Sequence, residues 1–184
     1  MSYRDVTAVL WLILVAYWIL SAWGNKPTVY RFNPVWRALS AIAIVGLFVL
    51  FEAYPAFFHR HVYQPTDACR AAGIAVCSAG VAFAIWARHT LGRNWSGNPT
   101  IKEGHELVER GPYRLVRHPI YTGIYMSYVA LALQSFTPMN ALIFAAGIAL
   151  FVIKSFVEEG FLSHDPQYVA YMARVRWRWL PYVA

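Results

Sequence analysis

The chain has 184 residues, of which 59% are hydrophobic, 17% aromatic and only 14% charged. A soluble domain of this length needs far fewer apolar residues, and the excess falls in long runs, so the composition excludes a soluble protein and predicts an integral membrane protein. The formal net charge of +7 is explained by basic loops at the membrane surface and by anionic lipids, and it does not indicate nucleic-acid binding.

Three apolar segments in the first half of the chain are predicted to span the membrane. The first, Val6–Trp23, is too long and too rich in tryptophan for the core of a signal peptide. The second is Val35–Phe51, and the third is Ala68–Ala87, whose many Ala and Gly residues would let a neighbouring helix approach closely. Cys69 and Cys77 lie about 12 Å apart along the third helix, so we expect no disulfide between them.

Two more spans are predicted after the polar stretch Ile101–Gly123. The fourth is Ile120–Phe136, and the short turn Thr137–Asn140 leads into a fifth that stays apolar as far as Ile153. The predicted fold class is therefore all-α, a polytopic protein with about five transmembrane helices. We divide it into N-terminal helices, residues 1–90, and a functional core, residues 91–184.

The distribution of Lys and Arg predicts the orientation of these helices. Basic residues concentrate in the first loop, between the first and second spans, in the third loop, between the third and fourth spans, and in the C-terminal tail. The loops of the other side hold few of them. By the positive-inside rule, the third loop and the tail are cytoplasmic and the N-terminus lies outside. A functional site in the third loop would therefore face the cytoplasm.

The polar stretch contains a helix start with a distinct physical meaning, Arg117-His118-Pro119. The proline restricts His118 to extended geometry and suits the first position of a helix. The first turn of that helix presents unpaired backbone N–H groups and the positive end of its dipole. We expect an anionic group of a ligand to bind there.

Other kinds of site are disfavoured by the sequence. No two histidines of the predicted cytoplasmic face stand at helical ligand spacing, and the close pair His59 and His61 lies on the opposite face, so no metal site is predicted. Ser96 has no preceding strand and no nucleophile-elbow motif. The glycine-rich phosphate-binding motifs of soluble nucleotide-binding folds are also missing.

From Leu91 onwards the sequence resembles the isoprenylcysteine carboxyl methyltransferase family, and the same broad pattern is similar to the membrane phospholipid methyltransferases. The motifs that carry the resemblance are LGRNW at Leu91–Trp95, GHELV at Gly104–Val108, GPY at Gly111–Tyr113, RHPIYTG at Arg117–Gly123, the pair Glu158 and Glu159, Tyr168 with Tyr171, and Arg178 before Leu180-Pro181. They keep their order and spacing over about half of the chain. The first three spans match only in hydrophobicity.

The resemblance implies a cytoplasmic pocket for S-adenosyl-L-methionine, built from the third loop and the C-terminal tail. The residues it assigns to the pocket are His105, Glu106, Leu107, Val108, Tyr113, His118, Pro119, Ile120 and Tyr121, with Glu158 and Glu159 closing it. The chemistry is plausible, because the cofactor has a carboxylate for a helix start, a cationic sulfonium for a carboxylate and an adenine for an aromatic face.

The methyl acceptor is less well determined. Lys154 lies one helical turn before Glu158 and would hold an acceptor carboxylate, although the isoprenylcysteine enzymes typically carry Arg at this position. His164 stands where the family has a Phe-Gly turn and is a candidate base for an amine or thiol. We rank an isoprenylcysteine-like carboxylate first, a phospholipid amine second and a small thiol third, each lipophilic acceptor entering from the bilayer.

A second class of function stays open at this stage. A non-catalytic membrane protein, or a relative of the sterol reductases with a nicotinamide cofactor, would share the topology. Cofactor binding separates these alternatives from a methyltransferase.

Overall fold

A computed structural model describes residues 2–23, 25, 28–31, 35–95, 100–102 and 107–182. Its elements in chain order are α1 (Tyr3–Ala22), β1 (Thr28–Arg31), α2 (Val35–Ala53), α3 (Pro55–Phe58), α4 (Asp67–Leu91), β2 (Thr100–Lys102), α5 (Pro119–Gln134), α6 (Pro138–Leu162) and α7 (Pro166–Arg174). All of the long elements are helices, which confirms the predicted fold class. The two short strands are an addition to it.

Most helix ends lie within a few residues of the predicted ones, and side-chain caps explain where they begin. Thr66 accepts a hydrogen bond from the backbone N–H of Cys69 at the start of α4. At the start of α6, Thr137 accepts one from the backbone N–H of Asn140. Helix α6 continues past Ile153, where its predicted membrane-spanning part ends, to Leu162. Its charged last turns stay helical because they point into the protein and find partners there.

Three of the described helices are long and apolar enough to cross a membrane, namely α1, α4 with the turn that follows it, and α6. Their exposed surface is apolar, with Leu12, Ile19 and Leu20 of α1 each more than half exposed. The predicted fourth span, α5, has only 16 residues, fewer than the roughly 20 of a straight span. The prediction of five spans therefore stays a prediction.

The centre of the fold is the antiparallel pair α4 and α5, which touch through small residues. A Cβ atom on Gly123 would lie 2.5 Å from the carbonyl oxygen of Gly80, and one on Gly80 would lie 2.8 Å from the hydroxyl of Ser127. No side chain fits at such distances, so glycine is what permits this contact. The Ala- and Gly-rich composition of the third apolar segment thus predicts the packing correctly.

Helix α1 lies parallel to α4, and polar contacts fix it at both ends. The Thr7 hydroxyl donates a hydrogen bond of 2.8 Å to the side-chain oxygen of Gln134. At the other end, the Arg88 guanidinium donates one of 2.7 Å to the carbonyl oxygen of Ser21. The end of α1, the end of α4 and the start of α5 consequently lie together at one end of the bundle.

A two-stranded antiparallel ribbon joins the loop after α1 to the loop after α4. Thr28 of β1 stands opposite Lys102 of β2, and Arg31 stands opposite Thr100. This backbone pairing requires the first and third loops to lie on one side of the bundle, as the distribution of Lys and Arg predicts. Which side faces the cytoplasm remains a prediction.

The C-terminal tail returns across the start of α5. The backbone N–H groups of Arg117 and His118 donate to the carbonyl oxygens of Trp177 and Arg178, at 2.9 and 2.8 Å. The Thr122 hydroxyl donates to the next carbonyl along the tail, that of Trp179. These bonds place the tail over the same end of the bundle as the third loop.

Candidate active site

A cavity of about 310 Å³ lies where the ends of α1, α4, α5 and α6 meet. Trp18, Ile124 and Phe151 of the long helices line it with apolar side chains, while Leu107, Val108, Tyr113, Tyr168 and Tyr171 contribute from the segment before α5 and from α7. Its charged side chains are Arg117, His118, Lys154 and Glu158. A polar groove of about 570 Å³ adjoins it at Leu91, Asn94, Leu107 and Val108. The site therefore combines largely apolar walls with a polar groove beside them.

Glu158 presents its carboxylate to the cavity from α6. Its Oε2 atom accepts a hydrogen bond of 2.7 Å from the Tyr121 hydroxyl. Its Oε1 atom lies 3.9 Å from Nζ of Lys154, one helical turn earlier. Lys154 Nζ also lies 5.6 Å from the centre of the Tyr121 ring, within the range of a cation–π contact. A carboxylate and an ammonium thus occupy the same wall.

Glu159, the next residue, lies behind the cavity wall and is buried with three cationic or cation-forming partners. Arg117 donates to both of its oxygens, at 2.7 and 3.3 Å. Arg178 of the tail donates to Oε2 at 2.9 Å, and His118 Nε2 lies 3.1 Å from Oε1. Two guanidinium groups keep this carboxylate ionised. Through these contacts Glu159 connects α6 to the segment before α5 and to the C-terminal tail.

His118 stands between the two carboxylates. While Nε2 meets Glu159, Nδ1 lies 3.6 Å from Oε2 of Glu158. The ring stacks on Tyr121, with centroids 5.2 Å apart and an interplanar angle of 5°. Pro119 follows it at the first position of α5, which is the helix start that the sequence predicts. The imidazole is therefore held on three sides.

Tyrosines from two separate segments close the site from outside. The Tyr171 hydroxyl of α7 donates a hydrogen bond of 2.8 Å to the carbonyl oxygen of Tyr113. Burial raises the pKa of the Tyr113 phenol and that of the Tyr171 phenol. Both phenols are therefore neutral at physiological pH and contribute aromatic faces and hydroxyl groups, not charges.

The turn after α4 supplies a further wall, which the sequence analysis did not assign to the pocket. The Arg88 guanidinium lies 4.6 Å from the ring centre of Trp95, and Trp95 meets Trp18 edge-on at 6.1 Å. Asn94 lines the cavity, and its buried side-chain oxygen has no hydrogen-bond partner among the described residues. Such an orphaned acceptor suits a donor group of a ligand.

Most of the predicted site residues converge on the cavity. Its lining includes Leu107, Val108, Tyr113, His118, Pro119, Ile120, Tyr121, Lys154 and Glu158. His105 and Glu106 lie outside the described residues, so their assignment stays a prediction. His164 is not among the residues that line the cavity; it is exposed, and its Nδ1 lies 3.1 Å from the carbonyl oxygen of Phe161.

The turn around His164 has a local structural explanation. The Asp165 side chain accepts a hydrogen bond from the N–H of Gln167, and Pro166 occupies the first position of α7. The polar turn thus starts a helix.

Among the described residues, no three His, Cys, Asp or Glu side chains come together as a metal site requires.

Several residues in and around the cavity were not predicted from the sequence to belong to the site. Trp18 and Phe151 read as ordinary membrane-facing side chains, since nothing in an apolar run marks the residues that face inwards. Arg117, Tyr168, Tyr171 and Arg178 are part of the quoted motifs, which is the signal that could have assigned them.

Comparison with known proteins agrees with this geometry. A model of the family "Phospholipid methyltransferase" matches residues 68–172, more than half of the chain. Among solved structures, the chain is similar to a eukaryotic intramembrane Ras methyltransferase, the isoprenylcysteine carboxyl methyltransferase ICMT, with a TM-score of 0.51 and 22% sequence identity over 84% of this chain. The chain spans only 55% of that protein's length. None of the curated proteins compared with the sequence matches it.

The likeness to ICMT shows a common fold. The family match starts with α4 and ends within α7, so it includes most of the residues that line the cavity, but not Trp18 of α1. The resemblance noted in the sequence to the membrane isoprenylcysteine and phospholipid methyltransferases is thereby confirmed. The chain belongs to the phospholipid methyltransferase family.

Proposed function

We propose that the chain is an S-adenosyl-L-methionine-dependent methyltransferase that acts on a lipophilic acceptor from the bilayer. The observation that carries the proposal is the Glu158 carboxylate in an aromatic cavity at the end of membrane helices. This partly buried carboxylate favours a cationic ligand group in the cavity, in addition to the Lys154 ammonium 3.9 Å away. A sulfonium or an amino group is such a group.

The residues present fit this cofactor. Glu158 supplies a negative charge, and the ring of Tyr113 supplies an aromatic face that attracts a cation or stacks on an adenine. The side-chain oxygen of Asn94, for which the described part of the chain offers no donor, accepts from an amino or hydroxyl group. The volume of about 310 Å³ lies at the lower end of the roughly 300–1,000 Å³ of ligand pockets, and the adjoining groove extends it.

When bound, the cofactor supplies an electrophilic methyl group on a sulfonium. The chain's own residues then have to hold donor and acceptor in line and exclude water. Trp18, Ile124 and Phe151 provide apolar walls that disfavour water, and Glu158 and the aromatic faces orient the cationic partner. No residue has to form a covalent bond.

The first candidate acceptor is a carboxylate, as in an isoprenylcysteine. Lys154 lines the cavity and supplies a cation for it. A carboxylate is already a nucleophile at neutral pH and needs no base. Its prenyl chain would occupy the apolar end of the cavity or leave it towards the bilayer.

The second candidate is an amine, as in an ethanolamine phospholipid, and a specific observation favours it. Nδ1 of His118 and Oε2 of Glu158 are two potential acceptor atoms that face the same space at 3.6 Å. They suit a group that donates hydrogen bonds, which a carboxylate cannot do. A small thiol is the third acceptor of the sequence ranking and has no structural feature in its favour.

The proposal is tested by incubating membranes that contain the protein with methyl-labelled cofactor. We expect label in a lipid or lipopeptide fraction, and no label from membranes that contain the Glu158→Gln variant. Calorimetric titration of the purified protein with S-adenosylhomocysteine, and separately with a nicotinamide dinucleotide, distinguishes a methyltransferase from a reductase-like protein. Binding of the dinucleotide alone would overturn the proposal.

A further inference from the structure

Three aromatic side chains form a layer across the helices next to the cavity, namely Trp11 of α1, Tyr128 of α5 and Phe144 of α6. The ring centre of Tyr128 lies 5.8 Å from that of Trp11 and 6.3 Å from that of Phe144. We call this layer the aromatic floor. Because Tyr128 contacts both neighbours, its ring connects α1 to α6.

The aromatic floor lies on the side of the cavity that is farther from Glu158. Ile124 of α5 and Phe151 of α6 line the cavity. Tyr128 follows Ile124 by four residues in α5. Gly147, which lies against the Tyr128 ring, precedes Phe151 by four residues in α6. The floor therefore lies about 6 Å, or one helical turn, beyond these lining residues.

Gly147 of α6 provides the space that the Tyr128 ring occupies. A Cβ atom at Gly147 would lie 2.8 Å from Cε2 of the ring and 3.4 Å from its hydroxyl oxygen. A larger residue would displace the ring, since carbon atoms pack best at about 3.5–4.0 Å. The ring also contacts Trp11, which packs against the core cluster that contains Leu14 and Cys77. Two helices thus hold the ring in place.

The lipophilic chain of an acceptor has an apolar path towards this floor. Trp18, Ile124 and Phe151 line the cavity between its charged wall and the floor. Lys154 of the charged wall is seven residues from Gly147, which is about 10.5 Å along α6. With carbon–carbon bonds of about 1.5 Å, an extended chain of roughly eight atoms covers that distance. A longer chain reaches the floor and has to bend.

We propose that Tyr128 determines the length of the chain that the site accepts, and that the far end of this chain lies against the aromatic floor. This inference rests on the proposed function, because it concerns the lipophilic part of the methyl acceptor. It applies to a carboxylate and to an amine alike. The ring acts through its volume and does not touch the reacting atoms, so Tyr128 is a specificity-determining residue.

The kinetic test compares a short chain with a long one. The acceptors are S-alkyl-N-acetylcysteines and alkylamines, each with a butyl or a tetradecyl chain, and the measured quantity is the ratio of kcat/KM for tetradecyl to that for butyl. Tyr128→Ala removes the obstacle to the longer chain and is expected to raise this ratio by about tenfold or more. The milder change Tyr128→Leu should raise it less. An unchanged ratio in both variants would overturn the inference.

Two further variants separate the floor from general loosening of the helices. Tyr128→Phe keeps the ring and is expected to keep the wild-type ratio, because the hydroxyl has no part in the effect. Val129→Ala removes side-chain volume at the next position, which is 42% exposed, and is the matched control. Its ratio and its affinity for S-adenosylhomocysteine should equal those of the wild-type protein. An equal rise in Val129→Ala and Tyr128→Ala would contradict a special role of Tyr128.

The position of the chain is measurable without methyl transfer. S-pentyl-N-acetylcysteine and octylamine, each with a diazirine at the last carbon, are photolysed with the wild-type protein in lipid nanodiscs, and mass spectrometry identifies the labelled residues. We expect label on Trp11, Tyr128 or Phe144. Label from both probes confined to side chains on the exposed surface of α1, such as Leu12 and Ile19, would overturn the inference.

The two proposals fail in different ways. If the wild-type protein neither binds S-adenosylhomocysteine nor transfers a labelled methyl group, the proposed function is wrong, and the photolysis experiment alone decides where the chain lies. If the wild-type protein methylates either series of acceptors but Tyr128→Ala and Tyr128→Leu leave the ratio unchanged, the proposed function stands and the inference about Tyr128 is overturned.

Discussion

The hydroxyl of Tyr121 in α5 and the carboxylate of Glu158 in α6 are joined by a hydrogen bond of 2.7 Å. This bond fixes the carboxylate against an aromatic ring that itself packs on Phe151 at 4.7 Å between centroids. A negative charge is thereby held still in a largely apolar cavity. Such preorganisation favours a cation, because no side chain has to rearrange when the ligand arrives.

Removal of this charge is the most direct test of the site. Glu158→Gln keeps the shape of the side chain and should weaken binding of S-adenosylmethionine by about 1.5–3 kcal/mol, the value of a hydrogen bond to a charged group. Calorimetric titration in detergent measures it. Glu52→Gln, an exposed carboxylate at the end of α2, is the matched control. Equal affinities for wild-type protein and Glu158→Gln would remove Glu158 from the cofactor site.

The role of Lys154 follows from the identity of the acceptor. With an amine acceptor, Lys154→Met should keep or raise turnover of an ethanolamine lipid, because a second cation near the ammonium is unfavourable. With a prenylcysteine carboxylate, the same change should raise KM, and Lys154→Arg should lower it through two parallel hydrogen bonds. Initial rates on both acceptors give the answer. A loss on the amine equal to the loss on the carboxylate would mean that Lys154 serves the fold.

The contact between α4 and α5 gives a prediction about assembly. Gly123→Ala should prevent the two helices from approaching, since its Cβ atom would lie 2.5 Å from the Gly80 carbonyl oxygen. We expect a clear fall in the thermal unfolding midpoint of the detergent-solubilised protein. Gly46→Ala in α2 is the control, because nothing lies within 4 Å of its added Cβ atom. Equal midpoints for the two variants would contradict the close packing.

The buried guanidinium of Arg88 should contribute strongly to stability. It is only 1% exposed, and it donates to the carbonyl oxygens of Gly92 and Ser21 at 2.7 Å each. Arg88→Met leaves both part-buried oxygens without this donor, at a cost of at most about 1–3 kcal/mol for each. Thermal unfolding compares it with Arg114→Met, whose side chain is exposed. A midpoint no lower than that of Arg114→Met would refute this role.

The orientation in the membrane is tested by labelling in intact cells. In a variant without Cys69 and Cys77, a cysteine at position 103 in place of Glu103 should be protected from an impermeant thiol reagent, and one in place of Ser2 should react. The reverse pattern would place the cavity on the side where no S-adenosylmethionine is available.

Some features of this site can be predicted from the sequence and others cannot, because only some of them depend on contacts between neighbouring residues. Helices and their caps depend on local residues, so the start of α5 at Pro119 follows directly from its motif. The charge of Glu159 is also visible in the sequence, but its partners are not, because Arg117 is 42 residues away and Arg178 is 19 away. Only the folded chain shows that Glu158 faces a ligand space while Glu159 faces two arginines.

Apolar wall residues are the hardest to predict. In a membrane span, a side chain that faces lipid and one that faces a cavity have the same composition, so hydrophobicity carries no signal for Trp18 or Phe151. The charges at the end of α6 show a related limit. Lys154 and Glu158 mark where the predicted span leaves the hydrocarbon, but their spacing does not show that they find partners within the protein.

The tail that crosses the start of α5 also determines when the site can form. Thr122 bonds to the carbonyl of Trp179, 57 residues later in the chain, so a ribosome that adds about 5–20 residues per second leaves the helix start uncovered for roughly 3–11 s. For most of that interval the start of α5 has been made but Glu159 has not, and Arg178 is made only at its end. The cavity is therefore completed by the last part of the described chain to be synthesised, and a nascent protein has no finished site at the membrane surface.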